Sequence, residues 1–312
     1  MNEKFASEPV ALRGHLAVKH LLDKFGPTTG RYLAAYPADW RKQVLEANAG
    51  VGPVELKRID ELLIRARDEL RVVGMTSMTF DSAQAWLENA IRLLEARPKR
   101  LLSALVIEPR TPPFLYHDVH ELENFELPPT AEERIKATPE EFLRVSRILL
   151  ASSPEIGLID PYINPCNPYV EEVLRPMFRL AAAARCQSIR IWSRASTVLD
   201  THSAAQTEKA LRELLPAETP NGLTIELNLV DDSRHVNRMH ARYLLTLKGG
   251  IRFDQGFQKL RSDRVMDVVP ITSKSVFNQV YGDFFENSAK NARVVKTIKV
   301  RAAPTIQPST RA

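Results

Sequence analysis

Cysteine is scarce: the 312-residue chain has two, Cys166 and Cys186. They are too few and too far apart for a disulfide scaffold, a CxxC pair or a zinc cage, so they read as ordinary thiols. Long apolar runs are also missing. The longest, Leu101 to Ile107, covers seven residues and includes Ser103, far short of the roughly 20 needed to span a bilayer. The first residues, MNEKFASEPVALRGH, mix both charges early and show no apolar core of a secretory signal, so the expectation is a cytoplasmic protein. The metal-binding spacing His-Glu-x-x-His is absent, and His117 and His120 fall in an acidic loop, so no metal and no cofactor are expected. What is present is ordinary for a globular protein, with 44% apolar and 26% charged residues.

Charge is unevenly placed. The formal net charge is +5, and it divides into +3 for residues 1–100, −6 for 101–160 and +8 for 161–312. From Ala289 to Ala312 the chain carries Lys290, Arg293, Lys296, Lys299, Arg301 and Arg311 with no acid. That stretch would suit a phosphate-rich partner, although a solvated basic tail has the same composition.

Apolar periodicity over the first hundred residues predicts helices at Val10–Phe25, Pro37–Ala49, Val54–Val72 and Ser82–Ala96, a small all-helical domain over 1–97. Arg97-Pro98-Lys99-Arg100 reads as a linker. Thr28-Thr29-Gly30 is weighed as the turn of a helix-turn-helix. The second domain, 101–300, opens with the strand-like run LSALVIEP and a Pro-rich acidic loop, Thr111–Pro139. Strands at Glu155–Ile163, Ser188–Ser193 and Leu223–Val230 then alternate with helices, which argues an α/β domain whose mixed sheet is flanked by helices. Met239–Leu247 and Ile251–Phe253 look like a hairpin joined through Lys248-Gly249-Gly250. Val265–Ile271 is a further strand and Lys274–Glu286 a closing helix, with residues 301–312 left as a basic disordered tail.

The chemistry concentrates around His240-Ala241-Arg242-Tyr243-Leu244-Leu245-Thr246. Strand alternation would set His240 and Arg242 on one face, about 6–7 Å apart. An imidazole can attack or move protons, and a guanidinium holds two phosphate oxygens, so the pair outlines a phosphate site. Composition alone predicts about one His-x-Lys/Arg by chance, so context supplies the weight. Asp160 and Arg194 end successive strands, where open α/β sheets gather ligand groups.

With its strand ending in Asp160-Pro161-Tyr162 and its His-x-Arg-Tyr-Leu-Leu-Thr before Gly-Gly-Ile and Gly256-Phe257, the segment Leu101–Lys299 resembles the phospholipase D superfamily. It is most similar to its divergent bacterial branch and to the phospholipase D-like C-terminal domain of MIT-domain proteins. The resemblance implies a phospholipase D-like fold, a nucleophilic His240, a phosphate-holding Arg242, and substrate contacts from Asp160, Arg194, Tyr243, Thr246 and Gly256. It implies a metal-independent phosphodiesterase, foremost a nuclease, in a phage-defence setting. Two departures stand out: the family's Asp falls on Leu247, and its Gly-Ser pair is represented by Gly256-Phe257. No second His-x-Lys/Arg occurs among the other histidines. A single motif implies a homodimer pairing two copies, or a degenerate module that binds nucleic acid or, less readily, a membrane phosphoinositide without turnover.

Overall fold

The computed structural model describes the chain apart from residues 1–2, 75–77, 97–100, 109–115, 122–131, 185, 217–218, 220–221, 232–238, 262–263, 287–292 and 303–312. The chain forms two compact units, Met1–Thr130 and Ala131–Ala312, each of mixed α/β construction. Among the described residues no helix is long and apolar enough to cross a membrane.

The first unit is not a helical bundle. Its strands β1 (Glu3–Ser7), β2 (Arg31–Ala35), β3 (Val72–Gly74), β4 (Ala104–Ile107) and β5 (Tyr116–Asp118) form a parallel sheet in the order β3-β2-β1-β4-β5. The expected helices are present, as α1 (His15–Asp23), α2 (Trp40–Ala47), α3 (Pro53–Asp68) and α4 (Trp86–Glu95). Neighbouring residues along each strand enter different cores. Phe5, Leu33 and Val106 pack with α1, α2 and α3, while Ala6, Ala34 and Leu105 pack with α4. A strand buried on both faces carries no polar alternation, and three to five residues give no period, so β1 and β2 fall outside the expected helices unassigned and β3 begins at the end of one of them. The run Ala104–Ile107, assigned from sequence to the second domain, pairs instead with β1 in the first. Thr28-Thr29-Gly30 forms a turn leading into β2, with Gly30 at φ 64°, and joins no second helix. The linker 97–100 lies outside the described residues.

One buried amide closes the β1–α1 connection. Asn48 accepts from Gly14 N at 2.7 Å and donates to Leu12 O and Val44 O, each at 2.7 Å.

The second unit contains β6 (Glu133–Lys136), α5 (Pro139–Ser152), β7 (Glu155–Ile159), α6 (Pro168–Ala183), β8 (Ser188–Arg194), α7 (Ala195–Leu199), α8 (Ala204–Leu214) and β9 (Leu223–Asp231). It continues with β10 (Arg242–Thr246), β11 (Gly249–Phe253), β12 (Val265–Pro270), α9 (Lys274–Tyr281), a π-helical turn (Gly282–Glu286) and β13 (Arg293–Ala302). The eight-stranded sheet runs β13-β9-β8-β7-β10-β11-β12-β6. β7, β8 and β9 are parallel, and every other neighbouring pair is antiparallel. Ser203 caps α8 in a reciprocal box with Gln206. One sheet face meets α9 and the π turn through Ile159, Trp192, Leu245 and Phe285. The tip of the Phe285 ring fills the space that a Cβ on Gly157 would occupy.

Two expected features change. The basic stretch begins as β13, an edge strand on β9, and only residues 303–312 of the expected tail lie outside the described residues. The two glycines of the hairpin sit in β11 rather than in the turn, which is Leu247-Lys248. Replacing Asn48 by alanine leaves Gly14 N and Leu12 O without their buried partner. It should lower the stability of the first unit by about 2–4 kcal/mol in urea unfolding.

Candidate functional site

Strand direction brings the candidate residues of the second unit to one sheet edge. β7 and β8 end there, and β10, antiparallel to β7, begins there, with Tyr243 opposite Ile159. Asp160 therefore lies beside Arg242 in the sheet. It is 1% exposed. Its Oδ1 accepts from Tyr162 N and its Oδ2 from Phe257 N, both at 2.8 Å. Arg242 Nε stands 3.8 Å from Oδ1. Burial pushes the Asp160 carboxyl up from its usual range, and the two backbone donors and Arg242 act against that rise without reversing it. The expected substrate contact is thus an internal anchor, because a carboxylate this deep meets backbone rather than solvent.

The anchor requires Gly256. A Cβ on that residue would fall 2.8 Å from Asp160 Oδ2. Phe257 is held in turn by rings, with Phe253 at 4.9 Å and Phe142 of α5 at 6.0 Å between centroids. Packing of α5 on the sheet so positions the N–H that receives the carboxylate. Gly256, expected as a substrate contact, leaves the room that the Asp160 carboxylate occupies.

Arg242 is the first residue of β10 and keeps 22% of its side chain exposed. One terminal nitrogen donates to Asp254 O at 2.7 Å, and Nε is buried with no hydrogen bond among the described residues. Its guanidinium lies 5.3 Å from the centre of the Tyr162 ring, and that of Arg194 lies 5.7 Å from the same ring. Arg194 also donates to Met239 O at 3.3 Å, which fixes the backbone entering β10. The Asp160–Tyr162 loop is stitched to the end of β8. Pro161 O accepts from Arg194 N, Ser193 Oγ and Thr197 Oγ1.

His240 is exposed and lies just before β10, so it is not held by the strand alternation assumed from sequence. Tyr243 is half-buried on the face covered by α9, where burial raises its phenol, and it points away from the Arg242 side. Thr246 is buried at the far end of β10, where its hydroxyl donates to Gly249 O and accepts from Lys248 N. It closes the hairpin and takes no part at the edge. Leu247, in the position of the family's Asp, is exposed in that same turn.

From sequence His202 reads as a surface residue and Asn164 carries no signal; the structure brings the two together, with His202 partly buried. Asn164 follows the Asp160 loop, its Nδ2 3.3 Å from His202 Nδ1, while Thr201 Oγ1 lies 2.8 Å from the same nitrogen. Asn164 Oδ1 accepts from Cys166 N, which sets the amide's orientation and turns its Nδ2 toward Thr197 O, Thr201 Oγ1 and the His202 ring. No spacing in the chain signals this meeting, since the two residues are 38 apart. Burial raises both thiols, Cys186 to about 12, which disfavours the thiolate. Among the described residues no group of His, Cys, Asp and Glu is arranged to hold a metal ion.

The edge therefore presents two guanidiniums against a phenol, one of them aligned by a buried carboxylate, with an exposed imidazole two residues away. Guanidiniums of this kind have the chemistry to hold an oxyanion. No protein-family model and no curated protein sequence matches the chain. Among solved structures the chain is similar to TrmBL2, an archaeal chromatin protein described as showing a novel mode of DNA binding. Identity is 13% over 78% of this chain and 72% of that one, with a TM-score of 0.29, a likeness too slight to carry an argument about fold or function.

Gly256→Ala should destabilise the second unit by about 1–3 kcal/mol in urea unfolding, since the new methyl displaces Asp160 from its donors. The raised carboxyl sets a pH dependence of known sign. Asp160 favours the folded state most below its unfolded value of 3.8, and that contribution is lost as pH rises through the folded value. The stability of the protein relative to Asp160→Asn should accordingly fall with rising pH across that window, as read by parallel denaturation curves. A difference that grows with pH would reverse the assignment.

Proposed function

We propose that the second unit is a phospholipase D-like domain that binds a phosphodiester of nucleic acid, with Arg242 and Arg194 holding the phosphate. The observation that carries this reading is the pair of guanidiniums converging on Tyr162 at the sheet edge. Arg242 approaches a buried carboxylate and donates to a carbonyl, so its orientation is set before a ligand arrives, and less entropy is lost on binding. The basic excess of residues 161–312 favours a polyanion over a neutral substrate.

A second reading, turnover, is favoured by the exposure of His240 beside Arg242. In it, one imidazole nitrogen attacks phosphorus and the ester P–O bond breaks. The His240 of a second copy protonates the departing oxygen, and water then releases the phosphohistidine. The guanidiniums carry the developing charge, so this route needs no divalent ion.

The two readings separate in one experiment with labelled DNA and RNA in EDTA, measuring cleavage and affinity together. Arg242→Gln should weaken binding about 10- to 150-fold, the loss of a charge-assisted contact of about 1.5–3 kcal/mol. His240→Ala should leave affinity nearly unchanged and abolish any cleavage. Unaltered binding in Arg242→Gln would overturn the phosphate assignment, and tighter binding to phosphoinositide vesicles than to any oligonucleotide would overturn the polymer.

A further inference from the structure

We infer that the bound polymer is a single-stranded polynucleotide, whose bases stack on Tyr162 and Tyr169 and whose backbone follows the sheet edge from Arg242 past Arg194 to Arg293. The inference rests on the phosphodiester reading above and adds the strandedness of the partner and a further contact site. Two large phenols stand out in water at this edge: Tyr162 is 46% exposed and Tyr169 is 57% exposed. Both follow β7, the first in the loop after Asp160 and the second in the opening turn of α6. Other tyrosines are spent on the core, Tyr32 and Tyr36 being buried in the first unit.

An exposed ring beside guanidiniums is a stacking surface for a base whose phosphate the same arginines hold. Stacking tolerates any sequence because every base has a flat face. In a duplex those faces are already covered by neighbouring base pairs, so exposed rings of this kind serve a single strand alone.

Topology extends the cationic row. β13 runs antiparallel beside β9, so Arg293, its first residue, lies opposite Asp231 at the end of β9 and therefore at the same edge. In the order β13-β9-β8-β7-β10, two strand spacings separate β10 from β8, and two more separate β8 from β13. At about 4.8 Å per spacing, Arg242, Arg194 and Arg293 occupy strands roughly 10 Å apart along an edge of about 20 Å. Asp231 is the acid facing the far end of this row, and the exposed Lys296 stands three residues further along β13. The remaining arginine and lysine of β13 lie deeper along the strand, where Lys299 is taken up by Glu226 at 3.5 Å.

The full chain should be titrated against dye-labelled oligothymidylate and oligouridylate of about 15 nucleotides, and against a DNA hairpin duplex, by fluorescence anisotropy over a range of salt. The single strands should bind more tightly than the hairpin. Tyr169→Leu should weaken single-strand binding roughly 5- to 150-fold and leave the hairpin unaffected. Arg293→Gln should lower the salt dependence of single-strand binding by about 0.7 in log–log slope, the share of one phosphate contact. The comparison of thymidylate with uridylate then assigns DNA or RNA. If the hairpin binds as well as the single strands and neither substitution changes single-strand affinity or slope, the inference fails, while loss of binding in Arg242→Gln would keep the phosphodiester reading intact. If no oligonucleotide binds and Arg242→Gln changes nothing, both fail.

Discussion

Asp160 leaves the end of β7 with its carboxylate almost wholly removed from water, and the sheet edge around it is arranged to make that tolerable. Two backbone N–H groups from separate loops meet its two oxygens, and a guanidinium approaches one of them. Each contact commits a different part of the chain. Tyr162 N fixes the turn after β7, Phe257 N draws in the loop after β11, and Arg242 is aligned at the start of β10. A buried charge left without such partners is far more costly than an exposed one, so the three segments are constrained together. The Tyr162 turn and the Arg242 guanidinium take their positions from this interior contact, while Arg194 meets the same ring from β8.

That constraint reaches back into ordinary core packing. Phe257 is oriented by Phe253 and Phe142, and Gly256 leaves room for the carboxylate by lacking a side chain. The helix α5 is thus coupled to the edge through rings rather than through any polar group of its own. The other sheet face is organised differently, around the stacked Tyr281 and Phe285 rings, 4.5 Å apart, with the Arg190 guanidinium 4.5 Å from Phe285 and bonded to Glu155. Tyr243 faces this second cluster, which is why strand alternation separates it from Arg242 one residue away.

The first unit depends on a different economy. Its parallel strands have apolar neighbours on both faces, so they contribute short runs such as Leu33–Ala34 and Leu105–Val106 with no polar residue between. Side chains of the connections meet buried backbone groups: Asn48 satisfies three backbone atoms, and Trp40 donates its indole N–H to Ser7 O at 2.9 Å. Those connections also shelter the start of α1, whose His15 N donates to Glu55.

Local pattern was enough to determine the amphipathic helices of both units, the strands β7, β8, β9 and β12, and the association of Asp160 and Arg194 with strand ends. Those features depend on neighbours three or four residues away, or on alternation along one strand. Tertiary structure decided the rest. Strands β1, β2 and β3 are too short for a period and exist because parallel partners distant in sequence bury them. β4 belongs to the first unit because it pairs with β1, about a hundred residues earlier in the chain. β13 is a strand because β9 offers it an edge, where composition alone read a solvated tail. In the site, the burial of Asp160 against two backbone donors, the room left by Gly256 and the hydrogen bonds of Thr246 within its turn depend on which segments meet. A sequence records which groups can form such contacts, and only the folded chain sets which of them face water.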